Sequence, residues 1–439
     1  MMDALTIGYT CVGLLFLFLA LGVPVGVAMG ILGVGGMYFG FGENFAFGQL
    51  RTLPFAVVSN YAFAVLPLFV LMGVLAEAAG ITAQLFYAAD LWLRRLRGGL
   101  YQAVIVGSAL FAAISGSTIV NAVVFTRIAF PEMLRYGYSR SLSIGSIAAA
   151  GSFAAMIPPS ITMVIYAIIT EQSVGKLLIA GFLPGILTAA IYLGGVWVMV
   201  TLRPSLAPMI TDLPSRREKF RALRGVTPVA ALMIIVLGGL YFGFFPPSAA
   251  GAVGAGGAFV IALSRRYRDR LGWLGEALRD AASISSIIFI ILIGGLVFSR
   301  MLVVSGVIDG FVDLVNTFAG SPVLFMIFVS IMYLVLGCFL DTTSMLVVTL
   351  PFVFPAVVTL GIDPIWFGIV LVKLIEISVI TPPVGINLFA VLGAVSGQAK
   401  FSHVVKGVLP FLGLELIVLA LLILFPAIAT WLPGQMVAG

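Results

Sequence analysis

Ile157-Pro158-Pro159-Ser160 and Thr381-Pro382-Pro383-Val384-Gly385 each set a double proline inside a long apolar run, and Pro382 follows Pro158 by 224 positions. Proline has no amide hydrogen to continue a helix, and its ring clashes with the turn before it, so each pair predicts a break. In the core of a bilayer every freed backbone group needs a partner, and a broken span is tolerated where it lines a cavity or holds something. One such break reads equally well as a kink in a packed helix. Two at matched positions point to a site.

Composition supplies the bilayer. Of 439 residues, 62% are apolar and 9% are charged, against about 45–50% and about 25% in soluble domains, and the mean hydropathy is +1.21. A soluble enzyme, a disordered scaffold and a nucleic-acid binder are all excluded. The net charge of +6 resides in basic residues of short loops between apolar runs, where it reports orientation. Cys11 and Cys338, both in apolar segments, are too few for a disulfide framework or a zinc site. Val335-Leu336-Gly337-Cys338 has the look of a lipoprotein box but stands in mid-chain. No basic leader precedes the apolar run 5–21, which is expected to be a mature span. A GxxxxGK[ST] phosphate loop is absent, and the glycines of 251–257 read as close helix packing.

Apolar runs of spanning or near-spanning length cover 5–22, 24–40, 57–79, 141–170, 176–201, 226–244, 247–263, 283–304, 364–396 and 407–432. Two regions differ. The runs 101–114 and 119–130 flank Ser115-Gly116-Ser117-Thr118, and the runs 322–336 and 345–358 flank a polar stretch from Gly337 to Ser344. None of these halves has the roughly 20 residues of a crossing, so each region predicts a re-entrant helical hairpin with a polar tip. With hairpins entering and leaving by one face, the basic residues fall on one side. These are Arg94, Arg95, Arg97, Arg127, Arg135 and Arg140, then Arg203 and the cluster at 216–224, then the arginines of 265–270, then Lys400 and Lys406. That side is cytoplasmic. No Lys or Arg occurs between Met301 and Val372, as expected of a hairpin entering from the other face.

Opposed hairpins imply an inverted repeat. The same 224-residue shift carries Phe130-Pro131 onto Phe354-Pro355, Gly137 onto Gly361 and Ser117 onto Asp341, and Leu183-Pro184 matches Leu409-Pro410 at 226. The polar stretch 203–224 is the seam between halves. Paired, interrupted segments at corresponding positions are the sequence signature of a secondary transporter with its site at the repeat interface.

The breaks free carbonyl groups and the tips add hydroxyls. Such oxygens suit a hard cation without burying an unbalanced charge, and sodium is the simplest choice. Asp341 is the one charged residue between Ser321 and Thr359. A carboxylate at that depth is by default functional, as a cation ligand or proton-linked group, although Asp-Thr-Thr-Ser also suits a helix N-cap. Gly385 and Asn387 can cap the helix after the second break or meet the solute. Lys373 and Glu376, three apart, are expected to pair on one helix face. Glu77, Glu132 and Glu415 are expected at interfaces or span ends, and His403 at the surface. Segment 84–97, with Trp92 among leucines and arginines, reads as an interfacial amphipathic helix.

On Ser115-Gly116-Ser117, Phe130-Pro131-Glu132-Met133, Ile157-Pro158-Pro159-Ser160, Leu183-Pro184-Gly185, Gly361-Ile362-Asp363-Pro364, Thr381-Pro382-Pro383-Val384-Gly385-Ile386-Asn387-Leu388 and Leu409-Pro410-Phe411, the chain resembles the large membrane subunit of the tripartite ATP-independent periplasmic (TRAP) transporters, the DctM-like family. The resemblance runs over essentially the whole length. It implies an all-α integral membrane protein, an inverted-repeat elevator-type transporter with two re-entrant hairpins and two discontinuous helices, driven by sodium and fed by a periplasmic substrate-binding protein. It implies no covalent catalysis and no organic cofactor. The chain begins with the large subunit's own spans, so a small four-helix partner subunit is expected to be a separate polypeptide. The expected place is the bacterial inner membrane, with the 203–224 loop in the cytoplasm.

The layout that follows is 1–100 scaffold spans and arm, 101–202 first hairpin, broken helix and span, 203–225 linker, 226–320 second scaffold and arm, and 321–439 second hairpin, broken helix and last span. Carried over position by position, the resemblance implies one sodium near Ser115, Gly116, Ser117 and Pro158, and a second near Gly337, Asp341, Thr342, Thr381, Pro382 and Gly385. An organic acid would lie between them, against Ser117, Ser160, Thr342 and Asn387. The alternatives are a self-sufficient divalent-anion:sodium symporter and, from another class, an ion channel or proton-pumping subunit.

Overall fold

The computed structural model describes residues 3–436 apart from Leu213, 267–271, 319–320 and Ser396, and every regular element among the described residues is helical. Two basic residues of the 265–270 run, Arg268 and Arg270, lie outside the described residues. The first half holds α1 (Ala4–Ala20), α2 (Val25–Phe41), α3 (Glu43–Ser59), α4 (Val65–Ala78) and α5 (Ile81–Leu93). A hairpin of α6 (Gly99–Ser115) and α7 (Thr118–Arg135) follows, then α8 (Arg140–Gly151), α9 (Ile161–Ile169), α10 (Val174–Ala180) and α11 (Phe182–Leu202). The second half holds α12 (Arg216–Tyr241), α13 (Pro247–Arg265), α14 (Gly272–Val304) and α15 (Val307–Phe318). Its hairpin is α16 (Pro322–Leu336) and α17 (Thr342–Thr359), followed by α18 (Pro364–Val379), α19 (Ile386–Ala394), α20 (Phe401–Leu424) and α21 (Ala427–Gly434).

The 224-residue shift carries over to the helices themselves. Applied to α7 it gives 342–359, the bounds of α17, and it moves the start of α8 onto the start of α18. Between the two hairpins four stretches are long and apolar enough to cross a membrane, Val174–Leu202 (α10 with α11), α12, α13 and α14, and α8 with α9, interrupted at Pro158-Pro159, reads as a fifth crossing. An odd number of crossings puts the entries of the hairpins on opposite faces, so the repeat is inverted.

Helix packing repeats too. α2 lies along α14, and α13 lies along α4; since the shift places α2 on α13 and α4 on the second part of α14, these are two copies of one contact. Small residues allow the approach. A Cβ on Gly26 would meet the Ile290 carbonyl oxygen at 2.8 Å, and one on Gly33 would meet the Phe298 amide nitrogen at 2.8 Å. The copy uses Gly251 against Leu68 and Gly254 against Met72. The other body is centred on α8 and α18, whose residues Leu142–Gly151 and Phe367–Val379 are buried without interruption. A helix apolar on all sides needs neighbours on all sides, and α7, α20 and α16 supply them.

Some elements depart from expectation. α3 and α15 are helices that the apolar runs do not announce, and α14 begins at Gly272 rather than near 283. The run 407–432 divides into α20 and α21. The amphipathic segment 84–97 is helical over Ile81–Leu93, with one face buried from Ile81 to Leu91 rather than lying free at an interface. Asp90 pairs with Arg94 at its end, and the Trp92 indole donates to the Lys219 carbonyl at 3.2 Å, which ties α5 to the first turn of α12. That turn carries a capping box: Glu218 accepts the Ser215 amide at 2.7 Å and the Ser215 hydroxyl at 2.8 Å, and these bonds hold the Glu218 carboxyl below the usual range.

Candidate functional site

Each proline pair ends a helix as its chemistry requires. After α8 the chain makes one tight turn over Ser152–Ala155 and then runs non-helically to Ser160, while α18 stops at Val379 and helix resumes at Ile386. Both Pro158-Pro159 and Pro382-Pro383 bonds are cis. The hairpin tips face these breaks. Gly116 takes a left-handed conformation, φ +60°, that turns the chain from α6 into α7, and a Cβ there would stand 3.2 Å from the Pro159 carbonyl oxygen and 3.3 Å from the Ile161 side chain. At the second tip Gly337 packs on the Ser378 side chain, at the end of α18.

Both tips and both broken helices meet at one cavity of about 220 Å³. The first tip contributes Gly116, Ser117, Thr118 and Ile119, and the helix after the first break contributes Ile161 and Thr162. From the other half come Asp341, Thr342 and Thr343, with Val379 and Ile386 at the two sides of the second break. Ile284, Ile287, Ile288 and Ile291 of α14 close the remaining wall. A second cavity, about 270 Å³, shares Ser117, Ile161 and Ile284 with the first and extends past Ser115 to Glu77, Asp280 and Ser283. Those three lie toward the ends of α4 and α14 that adjoin the basic loops, so the pair of cavities leads from the tips toward the face that carries those loops.

The side chains named from sequence divide into groups. Ser117 caps α7, accepting the Val120 amide at 3.4 Å, and faces the cavity. Asp341 caps α17: its Oδ2 accepts the Thr343 amide at 3.1 Å and the Ser344 amide at 3.4 Å, and the residue still lines the cavity. The cap and the cavity positions that looked like alternatives are one position. Ser115 is buried with its hydroxyl unpartnered. Thr381 donates to the Ile377 carbonyl at 2.6 Å, and Gly385, φ +53°, brings the chain against the Thr381 carbonyl, 3.1 Å from where a Cβ would stand.

Pro158, Gly337, Thr381, Pro382 and Gly385 are not among the residues that line the first cavity. Ser160 is fully buried and caps α9, with its hydroxyl bonded to the Ala155 carbonyl and accepting the Met163 amide. The Asn387 amide donates to the Ala148 carbonyl at 3.5 Å, a link from α19 to α8. Neither Ser160 nor Asn387 is among the residues that line the first cavity, and the Asn387 Oδ1 is buried without a partner. The isoleucines of α14 and the buried, unpartnered hydroxyl of Ser344 were not anticipated. The isoleucines stand on one helix face at spacings of three and four, a signal that reads as ordinary packing until the hairpins are placed beside it.

Comparison with known proteins decides the family. Residues 12–428 match the family described as Tripartite ATP-independent periplasmic transporter, DctM component. The chain belongs to the DctM family. It is thus the large permease subunit of a TRAP transporter, a multi-pass membrane protein and not an enzyme. Among relatives of this DctM protein, the C4-dicarboxylate TRAP transporter large permease protein DctM of Pseudomonas aeruginosa is 34% identical over 381 residues, 87% of this chain and 88% of that one. Its namesake from Vibrio cholerae is 30% identical over 454 residues, 96% and 97% of the two chains. Among solved structures, the Alcanivorax borkumensis YdaH transporter, described as having an unusual topology, superposes with a TM-score of 0.61 at 17% identity, covering 95% of this chain and 97% of that one. That likeness concerns the fold alone.

Proposed function

We propose that this DctM protein is the translocating subunit of a sodium-coupled importer of an organic acid, working in the bacterial inner membrane. In this reading a periplasmic binding protein delivers the acid, and a separate small four-helix membrane subunit completes the complex. The observation that carries it is the single cavity at which both hairpin tips and both broken helices converge.

The donors suit a monovalent cation. Around the first tip they are the unpartnered Ser115 hydroxyl, the Ser117 hydroxyl and the Pro159 carbonyl beside Gly116. Around the second they are Asp341, whose Oδ1 is not used by the cap bonds, the Thr381 oxygens and the buried Ser344 hydroxyl. Neutral oxygens with one carboxylate match sodium better than a divalent ion, which calls for more charge. Two cations would also offset the negative charge of an acid held between them, where α7 and α17 begin and their helix dipoles favour an anion. The dicarboxylate transport named for the two relatives supports an acid as cargo. The hairpin-bearing body built on α8 and α18 would move against the scaffold of α2, α14, α4 and α13 in an elevator motion. The scaffold side of the cavity is a smooth row of isoleucines, without hydrogen bonds to be exchanged during such a slide.

The test is uptake of a labelled C4-dicarboxylate or other organic acid by proteoliposomes under an inward sodium gradient, with and without the cognate binding protein and small subunit. Uptake that requires all three supports the reading. Uptake indifferent to sodium overturns the coupling, and uptake by the large subunit alone returns the chain to the self-sufficient symporter class.

A further inference from the structure

The buried charges behind the second break do not balance. Lys373 on α18 donates to Glu376 Oε2 one turn further on, to Glu415 Oε2 of α20 at 3.0 Å and to Thr188 Oγ1 of α11 at 2.9 Å. The Tyr192 hydroxyl of α11 donates to Glu415 Oε1 at 2.7 Å. All five side chains are fully buried, and the rings of Phe153 and Phe411 stand 5.1 Å on either side of Tyr192. Glu415, which sequence placed at an interface or span end, is therefore the third charge of a cluster that sequence read as a Lys373–Glu376 pair.

The bonds tell the two carboxylates apart. Three donated hydrogens make Lys373 an ammonium. Glu415 receives a donor on each oxygen, as an ionised carboxylate requires. Glu376 receives one on Oε2, whereas Oε1 is buried with no partner. One positive charge against two negative ones would leave a net charge in an apolar interior, and a group so placed neutralises by taking up a proton. We propose that Glu376 holds a proton at neutral pH, so that the cluster is neutral and the hairpin-bearing body contains a proton-binding site one turn before the broken segment 380–385. The other helices packed on α18 add no competing acid or base: Tyr333 of α16 bonds Thr349, Tyr166 of α9 donates to the Pro364 carbonyl at 2.7 Å, and Lys176 of α10 is exposed. α17, α19 and α21 carry no titratable residue.

Infrared spectroscopy of the purified full-length protein reads this proton directly. A protonated carboxyl shows a C=O stretch, shifted by exchange into D2O, at a frequency free of carboxylate bands. The proposal expects such a band in the wild type at neutral pH, lost in Glu376→Gln and lost also in Glu415→Gln, where Glu376 ionises as the single counter-charge of Lys373. The melting temperatures then tell which carboxyl holds the proton in the wild type, with Glu376→Gln melting above Glu415→Gln. Because Gln mimics a neutral acid, Glu376→Gln should fold and melt within a few degrees of the wild type and keep uptake within about threefold. A wild type without the band, a band that survives in Glu376→Gln, or a Glu376→Gln protein that fails to fold would each overturn the assignment.

Discussion

A side chain on Gly116 would begin 3.2 Å from the Pro159 carbonyl oxygen, so the first hairpin tip lies directly against the backbone of the first helix break. The left-handed φ of +60° at Gly116 adds a conformational demand to the spatial one. Gly116→Ala faces roughly 1–2 kcal/mol for the left-handed conformation, before any crowding of Pro159. If the tip and the break share a cation, half-activation of uptake should need about 5- to 30-fold more sodium, the factor to which 1–2 kcal/mol corresponds. Gly256→Ala on α13, with nothing within 4 Å of the new methyl, is the control. Equal sodium curves for the two variants would detach Gly116 from the coupling site.

Asp341 serves as cap and as cavity wall together, and two substitutions separate these roles. Asparagine caps a helix about as well as aspartate but carries no charge. Asp341→Asn should therefore leave the melting temperature nearly unchanged while weakening the sodium dependence of uptake tenfold or more. Asp341→Ala should show the same transport defect and in addition lose about 1 kcal/mol of stability with the cap. An Asn variant with wild-type sodium activation would reduce Asp341 to its cap.

Lys373 is the one cation in its cluster, bonded to groups from α11, α18 and α20. Removing one partner of a buried ion pair costs about 3–5 kcal/mol, because the charge left behind has no water to turn to. Lys373→Ala should melt well below the wild type in detergent, with loss of folded protein on warming. Its thermal unfolding curve is the measurement, and an unchanged midpoint would mean that water or another residue replaces the ammonium.

The features legible in the sequence are those with a local chemical cause. Proline pairs break helices wherever they stand, and Ser117 and Asp341 cap the helices that follow them, so hairpins, breaks and repeat could be placed from residues alone. α3 and α15 escaped because Glu43–Ser59 and Val307–Phe318 are neither long enough nor apolar enough to announce a span; α3 packs on α2 and α14, and α15 on α17 and α14. Side-chain direction was also illegible. Ser160 and Asn387 stand beside the breaks in sequence, yet burial and nearby carbonyls turn them to Ala155 and Ala148. Glu415 lies 42 residues from Lys373, and no local pattern joins them.

The scaffold contact offers a test in which stability and coupling part. A Cβ on Gly33 would lie 2.8 Å from the Phe298 amide nitrogen and 2.9 Å from both the Phe298 Cα and the Val297 carbonyl carbon. All three are backbone atoms of α14, so no rotamer change can relieve the overlap and the two helices must move apart. The repeat-related Gly257 meets instead the end of the Leu232 side chain, which can rotate. Gly33→Ala should therefore cost about 1–3 kcal/mol, the usual penalty of overpacking, and Gly257→Ala distinctly less. In both variants the sodium concentration for half-activation should stay as in the wild type, because neither glycine lines the cavity at the tips. Thermal unfolding of the two purified proteins and their sodium curves measure this, and a Gly257→Ala protein less stable than Gly33→Ala would show that side-chain relief does not set the cost at this interface.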